Sequence, residues 1–248
     1  MLSTALDTSI INAVVGQYWR VSVVELTAST QSDLVAHVRQ GIATAGDVIA
    51  AEYQSNGRGR LTRSFDAPAR TALLFSFYIQ PKRNRSEWGW IPLIAGVSVA
   101  QILSDFGAQV KWPNDILINE KKVSGLIAEA TDDGVVVGIG INVGMRSDDL
   151  PVPTATSLLI EGARNITRND LLGKFLNNFE KNFSAWDQGS DEIASIYVDL
   201  SATIGREIAV EYPDGRREIG SAVAISSEGE LVLASGIHVN AGDIVHLR

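Results

Sequence analysis

The sequence predicts an α+β protein: a body of strands and helices over residues 1–200, then a small antiparallel barrel over residues 201–248. Three observations point there. Short apolar runs rich in β-branched and aromatic residues recur along the chain. Between them, Ile91–Phe106 and Thr167–Phe183 carry helical apolar spacing. From about Ser201 the texture changes to brief β runs separated by tight turns, the texture of a small barrel.

The elements follow in order. Tyr18–Leu26 carries Trp19, Val21, Val23 and Val24 and suits a strand. Ser32 or Asp33 then caps a helix over Leu34–Gln40, and Gly41 stops it. Ser29, Thr30 and Gln31 fall at the strand's end, just before that helix, where capping chemistry alone explains them. Asp47–Tyr53 and Thr71–Gln80 read as buried strands, and Pro81–Trp90 as a polar connection. Pro92 is tolerated in the first turn of the Ile91–Phe106 helix, and Gly107 ends it. Gln109–Trp112 is a short strand. Ile116–Asn119 and Lys122–Ala130 flank a hairpin signal at Asn119–Lys122, and Asp132-Asp133-Gly134 turns the chain into Val135–Val143. Pro151 and Pro153 mark a loop. Thr167 caps a helix whose apolar face holds Leu171, Leu172, Phe175, Leu176 and Phe179, and Asp191–Leu200 forms a second. Beyond a boundary near Asp199–Ala202 come Glu207–Tyr212, Glu218–Ile225, Leu231–Ala234 and Ile244–Leu247.

Composition narrows the function. Apolar residues make up 45% and charged residues 20%, enough for a sizeable core. A net charge of −8 argues against general nucleic-acid binding, which needs a basic face. The absence of cysteine excludes disulfides, thiolate catalysis and Cys-ligated zinc. His37, His238 and His246 are scattered and read as surface or packing residues. Met1–Gly16 has no cationic segment and only a short apolar run at Ile10–Val15, so it is no secretory signal. No apolar segment is long enough to span a bilayer, and a soluble, cytoplasmic protein is expected.

Against this acidic background, Ala51–Ala67 places Gly57, Arg58, Gly59, Arg60 and Arg63 directly after an apolar run. Glycine lets backbone approach a ligand closely, and arginine offers a fixed fork of donors to phosphate or carboxylate. The stretch is either a mobile loop that closes on an anion or a solvated turn between strands. A second stretch, Lys111-Trp112-Pro113-Asn114-Asp115, ends a strand. A partly desolvated lysine there gains most from an anionic ligand, although a snorkelling surface lysine would look the same.

Taken together, the succession Ser29-Thr30-Gln31, Gln54-Ser55-Asn56-Gly57-Arg58-Gly59-Arg60, Lys111–Asp115, Lys122-Val123-Ser124-Gly125-Leu126-Ile127 and Gly138-Ile139-Gly140-Ile141-Asn142-Val143 resembles the biotin protein ligases. The likeness runs from about Tyr18 to the C-terminus. It implies a class II synthetase-like mixed sheet with helices and a C-terminal SH3-like barrel. It implies an ATP- and Mg2+-dependent enzyme that activates biotin as biotinyl-5′-AMP and transfers it to a lysine of a biotin carboxyl carrier protein domain. Lys111 and Arg60 would be catalytic. Ser29, Thr30, Gln31, Gln54, Gly57, Arg58, Gly59, Arg60 and Lys111 would surround biotin. Arg60, Arg63, Phe65, Asn114, Lys122 and Asn142 would hold the nucleotide. No Mg2+ ligand is identified.

Thr62, Phe65 and Gln31 depart from the family pattern, which has glycine, an adenine-stacking tryptophan and commonly asparagine there. Phe65 can still stack, and Thr62 is expected to stiffen the loop. Some family members carry an N-terminal DNA-binding winged helix. Here the likeness starts so near Met1 that a ligase without repressor function is expected, acting as a monomer or ligand-dependent dimer. A lipoate or octanoyl ligase and a passive binding module are the rival readings. Hydrogen-bonding residues at the pocket suit a ureido ring better than an acyl chain, and the cations argue against passive binding.

Overall fold

A computed structural model of the protein describes residues 4–60 and 63–247. Thr62 lies outside the described residues. The larger sheet is built from β1 (Arg20–Thr27), β2 (Asp47–Gln54), β3 (Ala72–Ile79), β4 (Gln109–Lys111), β5 (Asp115–Ile118), β6 (Lys121–Ala130) and β7 (Val135–Asn142). Their spatial order is β1-β2-β3-β7-β6-β5-β4. Only β1 and β2 run parallel. Parallel neighbours need a crossover, and the helix between them supplies it. The other pairings are antiparallel, so the sheet is mixed, as expected from the sequence.

Helices α1 (Thr8–Asn12), α2 (Thr30–Arg39), α3 (Trp90–Ile102), α4 (Arg168–Asp187) and α5 (Glu192–Leu200) cover the sheet unequally. On one face, Phe75 and Phe77 meet Phe175 and Phe179 of α4, with ring centroids 5.1 Å apart for Phe75–Phe175 and 4.7 Å for Phe77–Phe179. Each such buried ring stabilises the fold by about 1.5–3 kcal/mol. The alternate residues of β3 point the other way. There Tyr78 packs with Leu34 and Val35 of α2 and with Ile49 and Val136. Burial on both faces explains why β3 and β7 are predominantly apolar rather than alternating apolar with charged residues.

Several boundaries differ from the sequence expectation. Helix α2 starts at Thr30, not Leu34, because the Ser29 hydroxyl rather than Ser32 or Asp33 accepts the Ser32 N–H and caps it. Helix α3 ends at Ile102, and a 3-10 turn over Ser104–Phe106 carries the chain to Gly107, whose φ is +65°. The Pro81–Trp90 connection contains a 3-10 turn at Arg85–Gly89. Helix α1, capped by the Asp7 carboxylate, and the two-residue strand β11 (His238–Val239) were too short to announce themselves.

The C-terminal strands β8 (Glu207–Glu211), β9 (Arg217–Ile225), β10 (Leu231–Leu233), β11 and β12 (Asp243–His246) form a separate antiparallel sheet in the order β11-β10-β9-β8-β12. Two tryptophans dock it. Trp90 Nε1 donates to Ser226 O at 3.0 Å, and Trp112 Nε1 to Gly229 O at 3.3 Å. The apolar core runs on through Ile208, Val210 and Leu231. Among the described residues, no helix is long and apolar enough to cross a membrane.

Candidate active site

The arginine stretch folds into a small hairpin. Phe65 N donates to Gly57 O at 2.9 Å, Gly59 N donates to Arg63 O at 2.8 Å, and Arg58 and Ser64 form a bridge. A Cβ at Gly57 would sit 2.2 Å from Phe65 O, so glycine there closes the base of the hairpin. Gly57 is not part of the cavity wall; Arg58, Gly59 and Arg60 are.

The hairpin roofs a cavity of about 290 Å³ between the sheet, α2 and the barrel. One end is neutral and polar. Thr30 N and Oγ1 both donate to Gln54 Oε1, at 2.8 and 3.0 Å, and Thr30 Oγ1 lies 2.9 Å from Ser76 Oγ. Gln31 Nε2 donates to Val136 O at 3.1 Å, which fixes the orientation of its amide. Gln31 Oε1 is buried and, among the described residues, has no hydrogen-bond partner. An unmet buried acceptor is costly, so this oxygen is set to receive a ligand donor. A Cβ at Gly138 would lie 2.7 Å from that oxygen, so glycine leaves it room.

The other end is charged. Arg58, Arg60, Arg63, Lys111 and Lys122 line it together with Asp115, Glu211 and Asp243. Arg60 NH1 donates to Asn114 Oδ1 at 3.1 Å and to Gly242 O at 3.3 Å. Asn114 Nδ2 is anchored on Leu126 O at 2.9 Å. Arg63 pairs with Asp243, and Lys122 Nζ lies 2.5 Å from Asp115 Oδ1. Burial lowers the pKa of Lys111 below the usual lysine value; Asp115 opposes this and Lys122 adds to it. Burial likewise lowers Arg60, with Asp243 and Asp115 pulling the other way. Both groups hold charge at a desolvation cost that an incoming anion would offset.

The Phe65 ring lies over Gly140, where a Cβ would come within 2.5 Å of it. Asn142 is buried with Nδ2 on Thr156 O at 2.9 Å, and it is off the cavity wall. The structure therefore gathers at the cavity every anticipated site residue except Gly57 and Asn142. Sequence reasoning missed Ser76 and the barrel residues Glu211 and Asp243. Nothing local marks them, since they belong to the site only through tertiary pairing. Among the described residues, no three His, Cys, Asp or Glu side chains converge to hold a metal ion.

A hydrogen-bonding pocket that opens into a ring of cations defines a class of protein that binds a small polar molecule next to an anion. Residues 23–145 match the Biotin/lipoate A/B protein ligase family, and residues 203–247 match the Biotin protein ligase C terminal domain. The chain is 36% identical to the biotin–[acetyl-CoA-carboxylase] ligase of Mycobacterium tuberculosis, over 94% of this chain and 91% of that protein. It is 28% identical to the bifunctional ligase/repressor of Escherichia coli, over 86% of this chain and 68% of the relative. The biotin protein ligase of Aquifex aeolicus, solved in complex with biotin and ATP, superposes with a TM-score of 0.78 at 28% identity, covering 92% of this chain and 99% of that one. The chain belongs to the biotin protein ligase family.

Proposed function

We propose that the protein is an ATP-dependent biotin–protein ligase. It activates biotin as biotinyl-5′-AMP and transfers it to a lysine of a biotin carboxyl carrier domain of a biotin-dependent carboxylase. One observation carries this reading: a single cavity joins the unmet Gln31 acceptor to five cationic side chains. The ureido ring offers N–H donors to Gln31, and Ser29, Thr30 and Gln54 complete its polar surroundings. Arg58-Gly59-Arg60 covers the acyl chain, with Gly57 closing the hairpin beneath it. The carboxylate reaches Lys111 and Arg60, with Lys122 beside them.

Attack of that carboxylate on the α-phosphate brings two anions together. Lys111 and Arg60 offset their repulsion in a partly desolvated site, where such charges act strongly. The carboxylate oxygen bonds to phosphorus and pyrophosphate leaves. Phe65 stacks on adenine, Arg63 and Asn114 hold the phosphates and ribose, and Asn142 supports this end from behind. The hairpin then shields the mixed anhydride from water. No side-chain nucleophile is required.

Mg2+ fits a site of this kind as a passenger on the triphosphate, because it needs only one or two protein carboxylates. Asp115, Glu211 and Asp243 are the carboxylates at this end, and when bound the ion would neutralise phosphate charge. The reading further places residues 1–200 and 201–248 as two units, cytoplasmic, monomeric or dimerising with ligand. A net charge of −8 supports activity without DNA binding.

The test is incubation with ATP, Mg2+, labelled biotin or lipoate, and an apo-carrier domain. Label on the carrier with biotin alone is expected. Transfer of lipoate instead, or biotin binding without pyrophosphate release, would overturn the proposal.

A further inference from the structure

The chain enters the barrel beside Lys111. Ala202 N donates to Val110 O at 2.8 Å and Ser201 bridges Val110, so this entry runs along the free edge of β4. The next residue, Thr203, is fully buried, and its hydroxyl accepts the Trp112 N–H at 3.1 Å. The Trp112 N–H shares a rigid peptide plane with the Lys111 carbonyl. Holding that plane fixes the direction in which the Lys111 side chain leaves the strand. The Thr203 hydroxyl also has one proton of its own to place. Among the described residues, its other partner is His246 Nε2 of β12, at 3.3 Å. The O–H proton goes to Nε2, which leaves the ring proton on Nδ1. A doubly protonated ring would turn this acceptor into a donor and strand a buried hydroxyl proton. Three charged groups act on the ring: Lys111 of β4, Arg206 ahead of β8 and Glu120 of the β5–β6 turn, the last paired with Arg206 at 3.2 Å. Burial first, then Lys111 and Arg206, push the ring's pKa down to about 4 against the pull of Glu120, so His246 is neutral near pH 7.

We propose that His246 is a positioning residue for adenylate formation: its Nε2 takes the Thr203 hydroxyl proton, and through Thr203 and the Trp112 amide it sets where the Lys111 ammonium stands. The inference deepens the ligase reading above and rests on it. Lys111 offsets the repulsion between carboxylate and α-phosphate only where its ammonium reaches both, and misplacement by about 1 Å at such a site costs about 10²-fold in rate. A neutral ring serves this better than a charged one, because a cation there would add to the desolvation that already disfavours the charged lysine. Strand β12 thus meets the site at both ends: Asp243 pairs with the arginine hairpin, and His246 acts on the lysine turn.

His246→Leu and Thr203→Val break the chain of hydrogen bonds, whereas His246→Gln keeps an acceptor at similar reach. In biotin-dependent ATP–pyrophosphate exchange, kcat is expected to fall about tenfold in each apolar variant while KM for biotin stays within about twofold. The double variant should be no slower than either single one, since both remove the same linkage. His246→Gln should stay within about threefold of the parent. A spectroscopic readout is independent of activity: the 15N signals of His246, assigned by their loss in His246→Gln, should show the Nδ1–H tautomer near pH 7. Parent-like exchange by both apolar variants would overturn the inference, and so would an Nε2–H tautomer. Equal losses in His246→Gln and His246→Leu would overturn it too, because packing of the ring and not its acceptor would then matter. Where an apolar variant loses its fold by circular dichroism, His246→Gln and the tautomer decide. Absence of exchange in the unsubstituted protein would instead defeat the ligase reading, and the tautomer would still decide whether His246 accepts from Thr203.

Discussion

Lys111 shows how one residue's environment sets its use. Its ammonium is half-buried and its pKa is lowered, first by desolvation. A lowered folded pKa means that the charged form is lost at a lower pH than in the unfolded chain, so binding of an anion weakens as pH rises through that folded value. The alkaline limb of biotin-dependent pyrophosphate exchange is therefore expected to begin below 10.5, the ordinary lysine value. Lys111→Arg should remove that limb, and an unchanged pH profile would dissociate Lys111 from it. Linkage runs the other way for stability. Between the folded and unfolded pKa the unfolded chain binds more protons, so this group's contribution to stability grows as pH rises. Lys111→Ala is expected to reduce adenylate formation by about 10²–10³-fold, measured in single turnover. Arg60→Ala should instead release biotinyl-AMP to solution, detected as free adenylate without carrier.

At the scale of elements, the floor of the site is a strand that alternates glycine with apolar residues. Gly140 leaves space for the Phe65 ring, so Gly140→Ala drives a methyl group to about the 2.5 Å where contact is impossible. The ring must move, and KM for ATP is expected to rise about tenfold while biotin binding holds, as isothermal titration would show. The Gly-Arg-Gly-Arg hairpin, the Lys111–Asp115 turn and the apolar strands were legible in the sequence because their signals are local. The Ser29 cap was not: Ser29, Ser32 and Asp33 are all competent caps, and only packing of α2 on the sheet chooses between them. A further element-scale feature was illegible for the same reason. Arg168, at the start of α4, is fully buried against Glu52 of β2 at 2.5 Å. Glu52 Oε1 also accepts the Leu6 N–H at 2.6 Å, which ties the N-terminal segment to the sheet. Arg168→Met strands a buried carboxylate and should cost about 3–5 kcal/mol in urea unfolding, much of it recovered in the Arg168→Met, Glu52→Gln double variant.

For the whole molecule, the question is what the barrel contributes to catalysis on the sheet. The change of texture near Ser201 marked a separate C-terminal module, yet nothing local indicated that its last strand would meet the arginine hairpin. Two contacts tie the arginine hairpin to the barrel: Arg60 to Gly242 O at 3.3 Å and the Arg63–Asp243 ion pair. Asp243 is partly shielded and Arg63 mostly exposed, so the pair adds little to global stability, typically about 0–1 kcal/mol. Its consequence is local. Asp243 holds the Arg63 guanidinium, and with it the hairpin, against the barrel; on the proposed reading the phosphates would compete for that guanidinium. Asp243→Ala should therefore leave the melting temperature nearly unchanged while exposing the hairpin to trypsin in the substrate-free protein. Biotin plus ATP should restore resistance, because phosphate replaces the lost carboxylate as the partner of Arg63. Equal cleavage of parent and variant without substrates would mean that the barrel contact does not order the hairpin. Protection by biotin alone would mean that the roof is held from the pocket side, with Arg58 and Arg60 sufficient to close it.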